Sequence, residues 1–223
     1  MCSSDLTTVN SGSLTVNNNV TIANKGLTVS GGTVTFNGNY TQTGGPLTLA
    51  GGTVNFNGAT TNLGTNNVLL SGATVNFGDN AADTITWSGG STNTFKLSAG
   101  TLDGLGAINL NGGPTVFAWS GGAMQGTGTL ATDAFMTSNV TGTLLTLSRP
   151  WTNSGTVNLL ASANSTLSGT GTFTNQGKGT VNVAPGPGNS TTISVTNFTN
   201  DATVNVNSGT LALAGTEIGR AHV

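Results

Sequence analysis

The sequence predicts an all-β fold built as a single-stranded parallel β-helix, a β-solenoid with about 20–24 residues in each turn. Three observations predict it: segments that recur at one period, strict alternation of apolar and polar residues inside each segment, and very few charged residues. A period of this length over most of a chain is typical of solenoid proteins, in which each repeat packs on its neighbours.

The period follows from segments that align without gaps, each one turn after another. The aligned segments are LTVSGGTVTFNG from Leu27, LTLAGGTVNFNG from Leu47, VLLSGATVNFGD from Val68, FKLSAGTLDGLGAI from Phe95, FAWSGGAMQGTGTL from Phe117, and the GTVNLL, GTVNVA and ATVNVN runs around Thr156, Thr180 and Thr203. The step from Leu70 to Leu97 is longer than the others, so we expect an inserted loop between these two residues.

Each repeat predicts two short strands joined at a glycine corner. In the first repeat, Leu27 and Val29, and then Val34 and Phe36, alternate with threonine. Because the pattern repeats every two residues, one side of each strand faces a core. The glycine pair that ends at Gly32 lies between the strands, where a sharp corner needs a positive φ or a missing Cβ.

An antiparallel sandwich with Asn-Gly hairpins is the rival interpretation, and the run FNGNYT fits it. A sandwich does not predict near-identical units at a fixed period. In a parallel coil, by contrast, each residue lies over its equivalent in the next turn. The predicted columns are Thr35, Asn55, Asn76 and Asp103 on the outside, and Val29, Leu49, Leu70, Leu97 and Trp119 on the inside.

The chain contains 5 Lys and Arg residues and 7 Asp and Glu residues, so its formal net charge is −2. So few basic residues argue against nucleic acid and anionic membranes as partners. No apolar run approaches the ~18 residues of a membrane span. Stacking explains the scarcity of charge, because like charges repel in a column whereas asparagine side chains hydrogen-bond along it.

Both ends differ in composition from the repeats, and they contain the only cysteine, Cys2, and the only histidine, His222. The last six residues back-translate to ATC GGA AGA GCA CAC GTC, which matches one strand of a standard sequencing adapter, and MCSSDL matches the other strand. We therefore expect residues 1–6 and 217–223 to be adapter artefacts. Residues 7–216 are expected to be one β-solenoid fragment, truncated at both ends.

The motifs GGTVNFNG, WSGG, GTGTL and FTNDATVNVNSGTLALAG resemble the β-strand-repeat surface and secreted proteins of bacteria. Those proteins are similar in turn to autotransporter passengers and to filamentous-haemagglutinin-type β-helix adhesins. The resemblance covers most of residues 12–215. It implies a right-handed parallel β-helix that is secreted or displayed on the cell surface as a stalk or an adhesive scaffold, and it brings no catalytic motif with it.

Catalysis by a Ser-His-Asp or Cys-His arrangement needs an imidazole base, and without His222 the chain has none. We therefore expect no catalytic residue, no cofactor and no zinc site. The only close carboxylate pair is Asp79 and Asp83, within the expected loop. Turn formation is the favoured interpretation of this pair, a weak calcium site is the first alternative, and polysaccharide hydrolysis is the second.

Trp87, Trp119 and Trp151 are evenly spaced along the chain, and their spacing is not a multiple of the period. They therefore need not share a face, and packing in the core or at a corner is the favoured interpretation. Stacking of Trp87 or Trp151 on a glycan is the alternative. Arg149, in the run SRPW, stands where an equivalent glycine corner is missing, which predicts an irregular turn.

These observations predict a structural or adhesive repeat segment of a larger secreted or surface-displayed bacterial protein, with no catalysis of its own. Its expected partners are host or environmental glycans, other surface proteins and the neighbouring repeats of the full-length chain. The expected location is extracellular or on the cell surface. The alternatives are a carbohydrate-binding or polysaccharide-degrading β-helix and an ice-binding solenoid, the latter weakened because outward Thr-x-Thr rows drift to Thr-x-Asn.

Overall fold

Threonine and valine favour extended backbone, and their alternation lets one side of each strand be buried. The computed structural model describes residues 2–3 and 8–219, with the side chains of residues 8–216. In this part the chain is all-β, without helices, and it coils into a parallel β-solenoid of about nine turns. The predicted fold class is confirmed.

The strands are short and follow one another at regular intervals. The first nine in chain order are β1 (Cys2–Ser3), β2 (Thr8–Val9), β3 (Ser13–Val16), β4 (Val20–Ile22), β5 (Leu27–Val29), β6 (Thr33–Phe36), β7 (Tyr40–Gln42), β8 (Leu47–Leu49) and β9 (Thr53–Phe56). The next nine are β10 (Thr60–Asn62), β11 (Val68–Phe77), β12 (Thr84–Gly89), β13 (Thr94–Asp103), β14 (Ala107–Gly112), β15 (Val116–Trp119), β16 (Ala123–Met124), β17 (Leu130–Thr132) and β18 (Thr137–Val140). The last nine are β19 (Leu144–Leu147), β20 (Trp151–Asn153), β21 (Thr156–Leu159), β22 (Ser165–Asn175), β23 (Thr180–Val183), β24 (Ser190–Asn200), β25 (Thr203–Val206), β26 (Thr210–Leu213) and β27 (Thr216–Gly219).

Each turn adds one strand to each of three faces, and neighbouring strands within a face run parallel. Face A contains β2, β5, β8, the first parts of β11 and β13, β15, β18, β21, β23 and β25. Face B contains β3, β6, β9, the second parts of β11 and β13, β16, β19, the first parts of β22 and β24, and β26. Face C contains β1, β4, β7, β10, β12, β14, β17, β20, the second parts of β22 and β24, and β27.

Face C corrects the prediction of two strands in each turn. Its early strands read VTI in β4, YTQ in β7 and TTN in β10, so they share no motif that the sequence comparison could detect. Their inward residues are nonetheless buried: Val20, Ile22, Tyr40, Gln42 and Thr61. The third face was missed because the apolar pair of β4 is not repeated, since Gln42 and Thr61 are polar.

The two predicted columns are confirmed by the pairing of the strands. On face B, Thr35 lies beside Asn55, Asn55 beside Asn76, and Asn76 beside Asp103. On face A, Trp119 pairs with Leu97 in the inward column and is fully buried, and the column continues at Val140. The expected insertion is also present, because residues 78–83 form a loop between β11 and β12.

Glycine is required at the corner between faces A and B, as the sequence predicts. Gly52 has a φ of 75°, in the left-handed region. A Cβ atom at this position would lie 2.2 Å from the carbonyl oxygen of Gly32 in the preceding turn. The close stacking of turns therefore excludes a side chain here, in addition to the strain that the backbone conformation would impose.

Aromatic rings stack along the core on the face B side. The ring centroids of Phe36 and Phe56 are 5.3 Å apart, and those of Phe56 and Phe77 are 5.1 Å apart, with the planes inclined by 17° in both pairs. Tyr40 packs against both Phe36 and Phe56, at 4.9 Å from each. Such pairs contribute about 0.5–1.5 kcal/mol beyond the burial of their area.

A ladder of buried amides follows the ends of the face C strands in the C-terminal half. Asn153 donates from Nδ2 to Oδ1 of Asn175 at 2.8 Å, and Asn175 donates from Nδ2 to Oδ1 of Asn200 at 2.8 Å. All three side chains are buried. Because an unpaired amide in a dry interior is costly, the ladder lets polar side chains occupy the core. We call it the buried amide ladder.

Candidate functional site

An open groove of about 400 Å³ lies where face B turns towards face C, across β9, β11 and β13. We call it the amide groove. Its lining residues are Asn55, Asn57, Asn76, Gly78, Asp79, Asp103, Gly104 and Leu105. The inserted loop 78–83 supplies Gly78 and Asp79, and the corner after β13 supplies Gly104 and Leu105. The groove is therefore bounded by strand residues of face B on one side and by the loop and corner residues on the other.

Two ladders of asparagine side chains lead along the outside of the solenoid to this groove. In the first outer ladder, Asn37 donates from Nδ2 to Oδ1 of Asn17 at 2.8 Å, and Asn57 donates from Nδ2 to Oδ1 of Asn37 at 3.1 Å. Each amide thus turns its NH₂ group towards the preceding turn. Its carbonyl oxygen faces the following turn.

The second outer ladder has the same direction. Asn55 donates from Nδ2 to Oγ1 of Thr35 at 3.1 Å, and Asn76 donates from Nδ2 to Oδ1 of Asn55 at 2.6 Å. The next residue of the column is Asp103, which lies beside Asn76 in the parallel pairing. An ionised carboxylate has no proton to donate, so the ladder stops at this position.

The first outer ladder stops in the same turn. The backbone N–H of Gly78 donates to Phe56 O at 2.9 Å, as the N–H of Asn57 donates to Phe36 O at 2.8 Å. Gly78 therefore occupies the position at which a further asparagine would follow Asn57. Both ladders end at the amide groove with an amide oxygen that receives no hydrogen bond from the described residues.

The loop carboxylates Asp79 and Asp83 differ in their exposure to solvent. Asp79 is exposed and lines the groove, whereas Asp83 is buried and is not part of the lining. Oδ2 of Asp83 accepts the backbone N–H of Asn80 at 3.0 Å, which ties the loop together as expected of a turn residue. Within the described residues, no group of three or more His, Cys, Asp and Glu side chains is placed to hold a metal ion.

Trp87 and Trp151 correct the alternative of glycan stacking at these positions. Both side chains are fully buried, so neither ring offers a face to a ligand. Nε1 of Trp87 donates to Asn66 O at 2.7 Å, and the ring of Trp151 stacks on Phe173 with centroids 4.7 Å apart. Packing in the core, the favoured interpretation, is confirmed for both residues.

Arg149 takes a position that the sequence did not predict. The expected bend is present, but its side chain is buried inside the solenoid instead of pointing outwards. Nε donates to Gly128 O at 2.8 Å and Nη2 to Gly106 O at 3.3 Å, while Nη1 has no partner in the described part of the chain. Burial lowers the pKa of Arg149 to about 10, and the charge of Asp103 opposes that shift.

The absence of a glycine corner at SRPW was the sequence feature that pointed to an unusual position for Arg149. Arg149 donates to carbonyl oxygens one and two turns earlier, so its long side chain runs along the solenoid inside the corner. The remaining candidates, the side chain of Cys2 and the residue His222, lie outside the described residues.

Stacked parallel turns, an apolar interior and outer amide ladders define a parallel β-solenoid protein. The described part of the chain contains no helix that could span a membrane. Comparison with family models, with curated proteins and with solved structures finds no match to this chain.

Proposed function

We propose that the chain is a structural and adhesive repeat segment of a larger secreted or surface-displayed bacterial protein, with no catalysis of its own. The observation that carries this proposal is the continuous core that links the turns. Each turn pairs on all three faces with the turn before it, and the inward residues of successive turns form one hydrophobic cluster. Such an array supplies stiffness and a long surface.

The outer surface of the solenoid depends little on charged side chains. Neutral amides and hydroxyls occupy the columns, so stacking brings few like charges together. Hydrogen bonds between asparagines in successive turns, as between Asn182 and Asn158 at 2.9 Å, stabilise neighbouring turns without charge. The proposed partners are host or environmental glycans, other surface proteins and neighbouring repeats of the full-length chain. The proposed location is extracellular or on the cell surface.

The experiment that tests the proposal measures both surface display of the chain and its ability to cleave polysaccharides. The full chain is fused between a signal sequence and a surface anchor and displayed on bacteria, and the purified chain is incubated with a panel of polysaccharides. We expect a folded, protease-resistant passenger and no release of reducing ends or unsaturated products. Cleavage that Asp79→Asn or Asp83→Asn abolishes would overturn the proposal and establish the polysaccharide-degrading alternative.

A carbohydrate-binding role is the second candidate, and the amide groove is the observation that favours it. A groove of about 400 Å³ falls within the ~300–1,000 Å³ that is usual for small-molecule sites. Unlike the tryptophans, its lining asparagines and aspartates are open to solvent.

A further inference from the structure

We infer that the amide groove binds the hydroxyl groups of a neutral saccharide, because both outer ladders end there with amide oxygens that accept no hydrogen bond from the described residues. The inference deepens the proposed function, since it gives the adhesive surface a location and a ligand class. It rests on the proposed function only for the biological role of that binding.

The direction of the outer ladders decides which amide oxygens lack a donor. All four hydrogen bonds of the two ladders run from an NH₂ group to the preceding turn, so the amide oxygen of the last member of each ladder accepts no hydrogen bond from the described residues. Those last members are Asn57 and Asn76. Elsewhere in each ladder, the donor from the following turn satisfies the amide oxygen.

The residues next in each column supply no donor to these two oxygens. Gly78 has no side chain to offer to Asn57. Asp103, which pairs with Asn76 in the parallel register, carries acceptor oxygens only, and its Oδ1 accepts the backbone N–H of Gly104 at 2.7 Å. Asp79 adds a further exposed carboxylate to the lining. The groove therefore places several solvent-accessible oxygen acceptors close together, where a ligand with several donors can replace water.

A saccharide is the ligand class that matches these acceptors. It presents several hydroxyl donors at close spacing, and a groove of this volume admits a segment of one to a few sugar rings. Leu105, which is 42% exposed, offers an apolar contact for the C–H surface of a ring. The carboxylates of Asp79 and Asp103 repel uronic acids, so neutral saccharides are favoured over anionic ones.

A calcium ion is the competing occupant, because it also binds carboxylate and amide oxygens. The groove is wide and open, which suits a ring better than a bare ion. Calcium binding is therefore one of the outcomes that the experiment distinguishes.

The experiment is an NMR titration of the full ¹⁵N-labelled chain, observed at the side-chain amides of Asn57 and Asn76. The probes are cellotetraose, mannotetraose, galactotetraose, tetragalacturonate and calcium chloride, each added alone. We expect at least one neutral tetrasaccharide to shift both amides, whereas tetragalacturonate shifts neither. Shifts produced by calcium alone, or the absence of shifts with every neutral tetrasaccharide, would refute the inference.

Two variants locate the binding. Asp103→Asn provides an amide that can donate to Asn76 and continue the ladder, so we expect the affinity for the bound tetrasaccharide to fall about tenfold. Asp79→Ala removes an exposed acceptor without touching a strand, and we expect a fall of about threefold or more. Asp201→Asn, an exposed carboxylate in another turn, is the matched control and is expected to bind as the wild type does.

The outcomes separate this inference from the proposed function. Unchanged affinity in both Asp103→Asn and Asp79→Ala would place binding elsewhere and refute the groove assignment, but it would leave the scaffold role intact. Release of reducing ends from the same tetrasaccharides would contradict the proposed function even if the groove binds them.

Discussion

Single polar residues inside the core control how the stability of this solenoid depends on pH. Burial raises the pKa of Tyr40 far above its usual range, and its hydroxyl donates to the buried Gln42. The folded chain therefore retains the phenolic proton at pH values where the unfolded chain has lost it. The stability that this proton contributes is fully present below the unfolded pKa of ~10 and is lost as the pH rises above it.

Tyr40→Phe isolates this effect. The free energy of unfolding of the wild type minus that of the variant should fall by about 2 kcal/mol between pH 9 and pH 11.5. Urea unfolding at the two pH values measures it. The lowered pKa of Arg149 acts in the opposite direction. As the pH rises from about 10 to 12.5, the folded chain loses the guanidinium proton before the unfolded chain does, so the free energy of unfolding increases. This contribution is common to both proteins and cancels, so a pH-independent difference would contradict the prediction.

Arg149→Lys tests the buried guanidinium. A lysine ammonium is more strongly hydrated and lacks the planar fork that reaches Gly128 O and Gly106 O together. We expect a loss of about 2–4 kcal/mol in the free energy of unfolding, measured in urea. Lys178→Arg, at an exposed position, should change stability by less than ~0.5 kcal/mol. A small effect of Arg149→Lys would show that the two carbonyl oxygens do not depend on this donor.

At the scale of the element, two glycines of the corner between faces A and B allow the cost of backbone strain to be measured separately from the cost of steric exclusion. Gly12 and Gly52 have almost the same φ, 77° and 75°, but a Cβ at Gly12 would meet nothing within 4 Å. We expect Gly12→Ala to cost about 1 kcal/mol and Gly52→Ala at least ~2 kcal/mol more. Thermal and urea unfolding of both variants measure the difference. Equal costs would mean that stacked turns separate easily at this corner.

The asparagine ladder of face A tests the requirement for neutral amides. Asn158 donates from Nδ2 to Asn139 Oδ1 and accepts from Nδ2 of Asn182, both at 2.9 Å. Asn158→Asp removes the donor and should cost about 1–2 kcal/mol at pH 7. Asn62→Asp is the matched control, because Oδ1 of the exposed Asn62 accepts the N–H of Gly64 at 2.9 Å and an aspartate can do the same. A similar cost in both variants would argue against the ladder as the cause.

Strands with a shared motif were predictable, whereas strands without one were not. The alternation of Val34 and Phe36 with threonine predicts β6 and, by repetition, β9 and the second part of β11. The early strands of face C keep the same geometry with unlike sequences, since parallel pairing needs only an extended backbone and an inward residue that fits. These strands can therefore be located only after the strands of faces A and B have defined the length of each turn.

At the scale of the whole molecule, stability should vary along the axis. Residues in central turns, such as Val54 and Val75, are fully buried, while Val206 and Leu213 in the last described turn are 50% and 37% exposed. We expect backbone amides of β9 and β11 to exchange at least ~100-fold more slowly than those of β25 and β26 in hydrogen-exchange mass spectrometry. Uniform exchange would instead indicate that all turns open as one unit.

The candidate site was predictable only in part. The column of Thr35, Asn55, Asn76 and Asp103 was predicted, and so was the loop that contains Asp79. The groove was not predicted, because it depends on which atom of each amide faces which turn. That orientation follows from hydrogen bonds between successive turns, and the residue types alone do not determine it.

The orientation of the amides also affects the electrostatics of the whole solenoid. The asparagine ladder of face A turns its NH₂ groups towards the preceding turn, as the outer ladders do, whereas the buried amide ladder in the same turns points them towards the following one. Side-chain dipoles along the axis therefore oppose one another, unlike the peptide dipoles of a helix, which add up. Turns that carry both kinds of ladder can be added without a growing potential difference between the two ends.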